Sequence, residues 1–494
     1  MTTHTNVKGW RNPRPITERI VVEGKLVLQT PAHFNSGDSA PASQVDLTLL
    51  RNSRGHIFLP GASIAGALRS YLRDREQGYH QSETEGGLTT LLFGMTKNDE
   101  ETKEGEQSRL IVDDSVVATS AVEMRDGVRI EPETRTAADK AKFDMEVIAA
   151  GTAFPLRFEL LICADDDSDK IRHALATALA GFENGEITMG GRKRRGLGQV
   201  KVAKWHVTRY DLTAPDDFIG WLTNEPSNPS SVDSIFAGLK AEPLGIDKRD
   251  YFTLEATFSL NGPLLVRSNG DTSPDAPDMV HLQARQSDGA LKPILPGTSL
   301  TGVVRHHALR IATTLHGSTV AEPFVANLFG RGPKAKRDQR VEKDKQHVAS
   351  RFVAGEAVVK NVKSLIQSRI RIDRFTGGAY ETALFEEQPV FGGDDSRLEL
   401  AMIIRNPKPY EIGLLLLVLK DLWSSDLPVG GGSSVGRGRL QGVEACLALQ
   451  EYDKHDKLMT WCVKGSKALS IEGNVDQLEA YVTAFCDYKE TKGE

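Results

Sequence analysis

The chain has 494 residues, of which 39% are hydrophobic and 26% charged, and its formal net charge is −6 at pH 7. This length and composition predict a globular protein of two to four domains and exclude a fully disordered chain. The negative charge argues against a free-standing, non-specific nucleic-acid binder, so any site for a polyanion must be local. The longest apolar run, Ile412–Leu419, is too short to span a bilayer, and the N-terminus lacks a signal-peptide core, which predicts a cytoplasmic protein without a membrane partner.

The first predicted domain covers residues 18–203 and follows an N-terminal arm, residues 1–17. The alternating pattern of Glu18–Thr30 predicts a strand, and a loop rich in Gly, Ser and Pro follows it. At residues 59–61 the sequence Leu-Pro-Gly predicts a turn. Apolar residues at helical spacing then predict a helix that ends near Glu76.

This corner between strand and helix is a candidate anion site. Ser63 is suited to cap the free backbone N–H groups of the helix, and those groups favour a phosphate together with the positive end of the helix dipole. Arg69, two turns into the helix, would add positive charge. The alternative is an ordinary capped helix that packs on a sheet through Gly66.

The predicted domain closes with a Gly-rich loop. Strands are predicted over Ser108–Val117 and Phe154–Cys163, a helix over Lys170–Phe182, and a strand over Ile187–Val202 that the loop interrupts. Glycines permit positive φ and a close approach of backbone to phosphate, and basic side chains add charge. The alternative is a β-turn with a solvated charge run. The candidate ligands in this loop are Gly190, Gly191, Arg192, Lys193, Arg194, Arg195, Gly196 and Gly198.

The same landmarks return in the same order after a linker, residues 204–250. Six pairs, which include the Pro-Gly corners and the Gly-rich loops, keep offsets of 233 to 242 residues, and chance matches would not do so. The chain is therefore predicted to be a duplication, with a second domain over residues 251–443 and a tail, residues 444–494, that ends in a helix near Val475–Tyr488. The corresponding candidate ligands are Ser299, Arg305, Gly430, Gly431, Gly436, Arg437, Gly438 and Arg439.

Each half has the coarse order strand, helix, strand, strand, helix, strand, which is a split βαβ pattern. This order predicts an α+β fold made of two tandem ferredoxin-like (RRM-like) domains, and such a fold can present an open sheet or groove to single-stranded RNA. The four cysteines show no CxxC or paired Cys/His spacing, so neither a disulfide framework nor a zinc site is predicted.

The corner LPGxSxxGxxR, the Leu-Phe-Gly that follows it and the late Gly-rich loop together resemble the repeat-associated mysterious protein (RAMP) superfamily. More narrowly they resemble the Cas-seven-like backbone subunits of type III CRISPR effector complexes in antiviral defense, and the tandem fusion resembles the type III-D branch. The resemblance implies a subunit that binds guide (CRISPR) RNA through its helix N-termini and Gly-rich loops, beside other CRISPR effector subunits. It also implies inserted thumb hairpins, after Val117 and after Val359, that displace a base pair between the guide and a complementary target RNA.

In active members of this family, an Asp before the corner supports metal-dependent cleavage of the target RNA, and the matching residue here is Asp46. A carboxylate can hold a divalent metal, Mg²⁺ or Mn²⁺, against a phosphate or orient an attacking ribose hydroxyl. In the second half the segment is two residues longer, which leaves either Asp278 or His281 opposite Asp46. The phasing of the apolar residues favours His281, in which case the second site would be inactive.

Two other functions stay open at this point. The chain can be a non-catalytic guide-RNA-binding scaffold of the same complex, in which both Asp loops have decayed. It can also be a metal-independent guide-processing ribonuclease that uses a histidine such as His33, although a lone histidine is more often structural. Sensitivity to a chelator separates the metal-dependent enzyme from the metal-independent one.

Overall fold

A computed structural model describes residues 15–36, 45–95, 106–131, 134, 136–225, 229–243, 245, 247–269, 276–331, 349–452, 458–465 and 469–489. Outside these residues lie most of the N-terminal arm, the Gly-Asp pairs at 37–38 and 270–271 that the sequence predicts as turns, and the basic run at 334–345. In the described part of the chain, no helix is long and apolar enough to cross a membrane.

The first half of the chain folds into a unit built on an antiparallel sheet. Its elements are Ile16–Leu28 (β1), Ile57–Leu59 (β2), Gly61–Gln77 (α1), Leu88–Phe93 (α2), Leu110–Val112 (β3), Ser115–Val117 (β4), Val122–Ile130 (β5), Ala137–Ile148 (β6), Ala153–Cys163 (β7), Ser168–Glu183 (α3), Val200–Asp211 (β8), Pro215–Thr223 (α4), Ser230–Val232 (β9) and Ile235–Leu239 (α5). The sheet has the order β3-β7-β1-β8-β9, and β5 and β6 form a separate hairpin.

The second half repeats this plan with a larger sheet. Its elements are Tyr251–Leu260 (β10), Pro263–Leu264 (β11), Arg267–Asn269 (β12), Met279–His281 (β13), Gln283–Arg285 (β14), Leu291–Leu295 (β15), Gly297–His316 (α6), Ser318–Phe329 (α7), Phe352–Ala354 (β16), Ala357–Lys360 (β17), Lys363–Ser364 (β18), Gln367–Ile372 (β19), Ala379–Gln388 (β20), Val390–Phe391 (β21), Arg397–Arg405 (β22), Pro409–Trp423 (α8), Leu440–Gln450 (β23), Met459–Lys464 (β24), Ser470–Glu472 (β25) and Val475–Cys486 (α9). The sheet has the order β14-β15-β17-β22-β10-β23-β24-β25, and β19 and β20 form a hairpin.

The two units share a core arrangement. The strand β1 lies antiparallel between β7 and β8, as β10 lies antiparallel between β22 and β23. In β7 every second residue from Phe154 onward is buried, because one face of the strand packs into the core that α1 and α3 also line. The fold is therefore mixed α+β with two tandem units, as the sequence predicts.

The predicted corner forms, but its helix is not capped by serine. The helix α1 begins at Gly61 with Pro60 as its N-cap, and no side-chain capping bond is present. Ser63 is exposed in the first turn, and the N–H of Gly61 donates to Oδ1 of Asp114 at 2.7 Å. One of the protein's own carboxylates thus occupies the N-terminus of α1, where an external anion was expected.

Gly61 at the corner, and not Gly66 inside α1, lies in close contact with a neighbouring backbone segment. A Cβ atom on Gly61 would lie 2.3 Å from the carbonyl oxygen of Val112, whereas a Cβ on Gly66 would meet nothing within 4 Å. The same contrast holds in the second unit, where a Cβ on Gly302 also meets nothing within 4 Å. The alternative in which the helix packs on the sheet through Gly66 is therefore wrong.

We expect Gly61→Ala to destabilise the protein and Gly66→Ala to stabilise it. The methyl group at position 61 would clash with backbone, at a cost on the order of 1–3 kcal/mol. At the exposed position 66, alanine restricts the unfolded chain and should add about 0.5–1 kcal/mol. Urea denaturation of both variants measures the two changes, and similar small effects at both positions would contradict the tight corner.

The predicted linker and tail belong to the two units. The strand β8 runs through the predicted boundary at residue 203, and β23 runs through the boundary at residue 443. Leu239 of α5 is buried in the core of the first unit, and Phe485 of α9 in the core of the second. These few apolar anchors lie in polar segments, which is why the sequence predicts a linker and a tail there.

Candidate nucleic-acid interface

The two Gly-rich loops have the same backbone conformation. Each has four positions with positive φ, and a short 3-10 turn covers residues 193–195 and 433–435. A Cβ on Gly198 would lie 1.9 Å from the carbonyl oxygen of Met189, and the equivalent distance at Gly438 is 1.8 Å. These two glycines are therefore required by the chain's own packing, whether or not a phosphate binds.

Several backbone N–H groups of the loops are used within each unit. Gly191 donates to the carbonyl oxygen of His33 at 2.8 Å, and Gly431 donates to that of Leu265 at 2.7 Å. Gly198 and Gly438 donate in the same way to carbonyl oxygens of Pro31 and Pro263, both at 2.8 Å. The loops are thus braced on the segments below them, and any contact with a phosphate would depend mainly on their side chains.

The first loop lies against the second unit. The guanidinium of Arg194 donates a hydrogen bond to the carbonyl oxygen of Ser350. A Cβ on Gly297, the first residue of α6, would lie 2.5 Å from the carbonyl oxygen of Arg195. The loop of the first unit therefore meets the helix start of the second, and the two units form a junction there.

Ion pairs between the units hold this junction. Arg249, just before β10, pairs with Glu186 at 2.7 Å, and Arg125 of β5 pairs with Glu356 of the second unit at 3.4 Å. Arg125 and Glu356 are nearly fully buried, and burial raises the pKa of Glu356 while the Arg125 guanidinium opposes that rise. The hairpin β5–β6 is thus fixed to the second unit at its base.

Five cations meet at the junction, and we call them the junction cluster: Arg192, Lys193, Arg194, Arg195 and Arg305. None of the five forms an ion pair with a carboxylate in the part of the chain that the structure describes. Asp74, the acidic group that acts on Lys193 and Arg194, is itself paired with Arg73 at 2.9 Å.

Burial lowers the pKa values of four members of the junction cluster, and nearby positive charge lowers them further. Burial is the largest cause for Arg192 and Arg305, and repulsion from Arg195 adds to it in both cases. The pKa values of Lys193 and Arg194 are lowered first by burial and then by the positive charge of Arg405. Lys193 is solvent-exposed, yet neighbouring atoms crowd it enough to lower its pKa. A bound polyanion would relieve this repulsion, so the cluster is the strongest candidate RNA contact.

Two predicted RNA ligands are occupied by the protein instead. Arg69 donates two hydrogen bonds to Glu83, at 2.8 and 2.6 Å, and this partner raises the pKa of the arginine. Arg437 is 1% exposed and pairs with buried Glu387 at 2.8 Å. The structure thus makes Arg69 a brace of α1 and Arg437 a core ion pair. Among the remaining candidates, Arg439 is exposed and Ser299 half-buried.

Asp46 and Asp278 occupy equivalent places in the two units. Oδ2 of Asp46 accepts the backbone N–H of Asp144 in β6 at 2.9 Å, and Oδ2 of Asp278 accepts that of Glu386 in β20 at 2.8 Å. Both aspartates are exposed. Asp278, and not His281, is therefore the structural counterpart of Asp46, and the preference for His281 is wrong.

The neighbourhood of Asp46 carries more negative charge than that of Asp278. Asp126 of β5 lies directly opposite Asp144, and burial, Asp126 and Asp46 all raise the pKa of Asp144. In the second unit, the hydroxyl of Ser368 takes the place of Asp126 and donates to Glu386 at 3.0 Å. The sequence alone does not reveal the proximity of Asp126 and Asp144 to Asp46, because it depends on the register of the hairpin.

The described residues include no group of three Asp, Glu, His or Cys side chains that could hold a metal ion. Carboxylates are the ligands that Mg²⁺ and Mn²⁺ prefer. Asp46 and Asp278 are each already engaged by a backbone N–H, and the neighbouring Asp126 and Asp144 of the first hairpin do not complete a group of three ligands with Asp46. The residues present therefore do not by themselves fit a resident divalent metal.

His281 has a structural role in place of the catalytic one. It is 3% exposed, its Nδ1 accepts the N–H of Val266 at 3.1 Å, and its Nε2 lies 3.1 Å from the carbonyl oxygen of Ile294. Burial lowers the pKa of His281 to about 4. The ring is thus neutral and joins three segments near the second corner.

The stability of the protein should fall as the pH falls from about 6.5 to 4. In this range the unfolded chain protonates His281 while the folded chain does not, so the unfolded state binds more protons and acid favours it. The contribution is on the order of 3 kcal/mol. Urea unfolding at a series of pH values measures it, and His281→Leu should flatten the slope. The slope is the readout, because this variant also leaves the N–H of Val266 unpaired.

His33, the candidate base of a metal-independent ribonuclease, is buried beneath the first loop. Its exposed fraction is 4%, and its Nδ1 lies 2.7 Å from the carbonyl oxygen of Glu146. Burial lowers the pKa of His33. A side chain so enclosed is poorly placed to reach a ribose hydroxyl, which disfavours this reading.

Both hairpins expose apolar side chains to solvent. On β5–β6 these include Met124, exposed at 47%, and on β19–β20 they include Phe375 at the tip, exposed at 98%. Isolated exposed apolar residues need no explanation, but clusters on projecting elements indicate contact with another molecule. The other exposed apolar residues are Val122, Val128 and Ile130 on the first hairpin, and Ile370, Ile372, Tyr380, Leu384 and Phe385 on the second.

Both units match one family model. The model of the RAMP superfamily matches residues 25–201 and 257–441, which include both corners, both Gly-rich loops, Asp46 and Asp278. The chain belongs to the RAMP superfamily. The two matched regions of this RAMP protein coincide with its two units, so the tandem arrangement predicted from the repeated landmarks is confirmed. No curated protein matches the chain.

Proposed function

We propose that the protein is a guide-RNA-binding backbone subunit of a type III CRISPR effector complex, in the tandem form that resembles the type III-D branch. The junction cluster is the observation that carries this proposal. An RNA strand that crosses from the first unit to the second would supply the negative charge that the five cations lack. Membership in the RAMP superfamily supports an RNA ligand.

Each unit is ferredoxin-like in this proposal, and the two hairpins are its thumbs. The central strands of the first unit, β3-β7-β1-β8, follow the spatial order 2-3-1-4 of that fold, which supports the assignment. The exposed apolar side chains of β5–β6 and β19–β20 would enter the duplex of guide and target RNA. Apolar side chains can wedge between bases and offset part of the unstacking cost.

Cleavage of the target RNA is a second candidate function, because Asp46 and Asp278 lie at the same place beside the base of each thumb. A carboxylate held by a backbone N–H can accept a hydrogen bond or a proton from a ribose hydroxyl. Since the described residues do not form a metal site, Mg²⁺ or Mn²⁺ would have to be held largely by RNA and water.

The second Gly-rich loop supports a partner subunit. Residues 433–435 are exposed, with Val435 exposed at 56%, whereas Arg194, in the middle of the equivalent turn of the first loop, is half-buried and donates to the carbonyl oxygen of Ser350 in the second unit. A head-to-tail contact of this type leaves one free surface at each end. Another effector subunit would therefore cover the second loop as the second unit covers the first.

Purification of the tagged protein from cells that contain a CRISPR array, followed by sequencing of the bound RNA, tests the proposed function. We expect RNAs of uniform length that carry array sequences, together with further effector subunits. Recovery of unrelated cellular RNA, or of none, would remove the guide-binding proposal. Incubation of the purified complex with matched target RNA then separates a nuclease from a scaffold.

A further inference from the structure

We propose that Cys446 and Cys462 form a reversible disulfide that joins two strands of the second unit. The two residues lie directly opposite each other in the antiparallel pair β23–β24, and their Sγ atoms are 3.6 Å apart. Opposite residues in such a pair have Cα atoms about 4.5–5.5 Å apart, which is within the range that a disulfide spans. The bond therefore requires rotation of the two side chains without movement of the strands.

Both thiols are within reach of a small oxidant. Cys446 is exposed and Cys462 half-buried, because they lie on the face of the sheet opposite the core, whereas the adjacent Ala445 and Leu447 are buried. The hydrogen bond between the thiols is the largest cause that raises the pKa of Cys446, so the two sulfur atoms already interact. The sequence does not predict this disulfide, because the two cysteines form no recognised spacing pattern.

The reaction is thiol–disulfide exchange with a low-molecular-weight disulfide such as oxidised glutathione. One cysteine thiolate attacks the external disulfide, forms a mixed disulfide and releases one thiol. The second cysteine then attacks the protein sulfur of that mixed disulfide, which forms the Cys446–Cys462 bond and releases the second thiol. The protein dithiol is oxidised and the external disulfide is reduced. A reducing compartment reverses the exchange.

The bond would fasten the C-terminal layer of the second unit. The strand β24 pairs with β25 and leads into α9, which packs so closely on α8 that a Cβ on Gly413 would lie 2.0 Å from the carbonyl oxygen of Tyr481. In the reduced protein, β24 is held to β23 by non-covalent contacts, which include backbone hydrogen bonds and the ion pair of Lys464 with Glu444 at 3.4 Å. The oxidised protein gains a covalent tie that restricts the unfolded chain.

The test uses the full-length protein in glutathione buffers of increasing oxidised fraction. Free thiols are alkylated after denaturation, and linked peptides are identified by mass spectrometry. We expect a peptide pair that joins Cys446 to Cys462, that disappears with dithiothreitol, and that is absent from Cys462→Ser. Cys486→Ser is the matched control and should retain the link. Oxidation should also raise the urea midpoint of the wild type but not that of Cys462→Ser.

Two results would overturn the proposal. One is that both thiols stay free, or carry only glutathione, at the most oxidising ratio. The other is that Cys446 links to Cys163, to Cys486 or to a second chain. Circular dichroism of Cys462→Ser verifies that the variant is folded, and Cys446→Ser offers a second variant on the exposed side of the pair.

Discussion

Replacement of Arg195 and Arg305 by glutamine in one variant should lower the affinity for single-stranded guide RNA by about 10²–10⁴-fold, since a hydrogen bond to a charged group contributes about 1.5–3 kcal/mol and two are lost. Both side chains belong to the junction cluster, and neither forms an ion pair in the described residues. Each lost phosphate contact also lowers the slope of log affinity against log salt by about one, so the slope should fall by about two.

Filter binding of labelled guide RNA at several salt concentrations measures both quantities. Arg209→Gln is the matched control, because Arg209 lies on β8 nine residues beyond its start at Val200, roughly 30 Å from the loop at about 3.3 Å per residue. It pairs with Glu18 and should keep the slope of the wild type. Wild-type affinity and slope in the double variant would place the RNA away from the junction.

The features that sequence predicted well are local ones. The Pro-Gly corner, the helix after it and the Gly-rich loop are fixed by turn residues and by apolar spacing within a few residues. The predicted helix over Lys170–Phe182 is observed as α3, Ser168–Glu183, and the strand over Phe154–Cys163 as β7. The duplication was predictable because the same local signals recur at similar offsets.

The features that sequence could not predict depend on distant partners. Arg69 and Arg437 carry the same motif chemistry as the junction cluster, yet Glu83, in the loop after α1, and Glu387, on β20, engage them. The cluster itself exists because the second unit covers the first loop, and no spacing within one unit reveals that contact. The requirement for glycine at position 198 also depends on a partner outside the loop turn, because a Cβ atom there would clash with the carbonyl oxygen of Met189.

The pairing of Asp46 with Asp278 also came only from structure. The segment before the second corner is longer, so counting back from the corner left both Asp278 and His281 open, and the phase of the apolar residues favoured His281. The hairpin decides between them, because each aspartate accepts an N–H from the returning strand, at Asp144 or Glu386. His281 is excluded by its burial.

Because the two sites are equivalent, Asp46→Asn and Asp278→Asn should each remove a different product from the target-RNA cleavage pattern. Loss of a group that orients or deprotonates the attacking hydroxyl lowers a rate by about 10²–10⁴-fold. Asparagine keeps a side-chain oxygen that can accept the N–H of Asp144 or Glu386, so the hairpin base should stay in place. Gel analysis of end-labelled target RNA in the guide-loaded complex with Mg²⁺ measures each product.

The chain offers its own control for the extra carboxylate of the first site. Asp126→Ser gives the first hairpin the residue that Ser368 provides in the second, and it should leave both products if Asp46 carries the chemistry. Wild-type cleavage by Asp46→Asn, combined with loss of cleavage in Asp46→Ala, would show that the side chain only braces the hairpin. Wild-type cleavage by all of these variants would exclude both aspartates from the chemistry. Absence of cleavage by the wild-type complex itself would leave a guide-binding scaffold as the function of this RAMP protein.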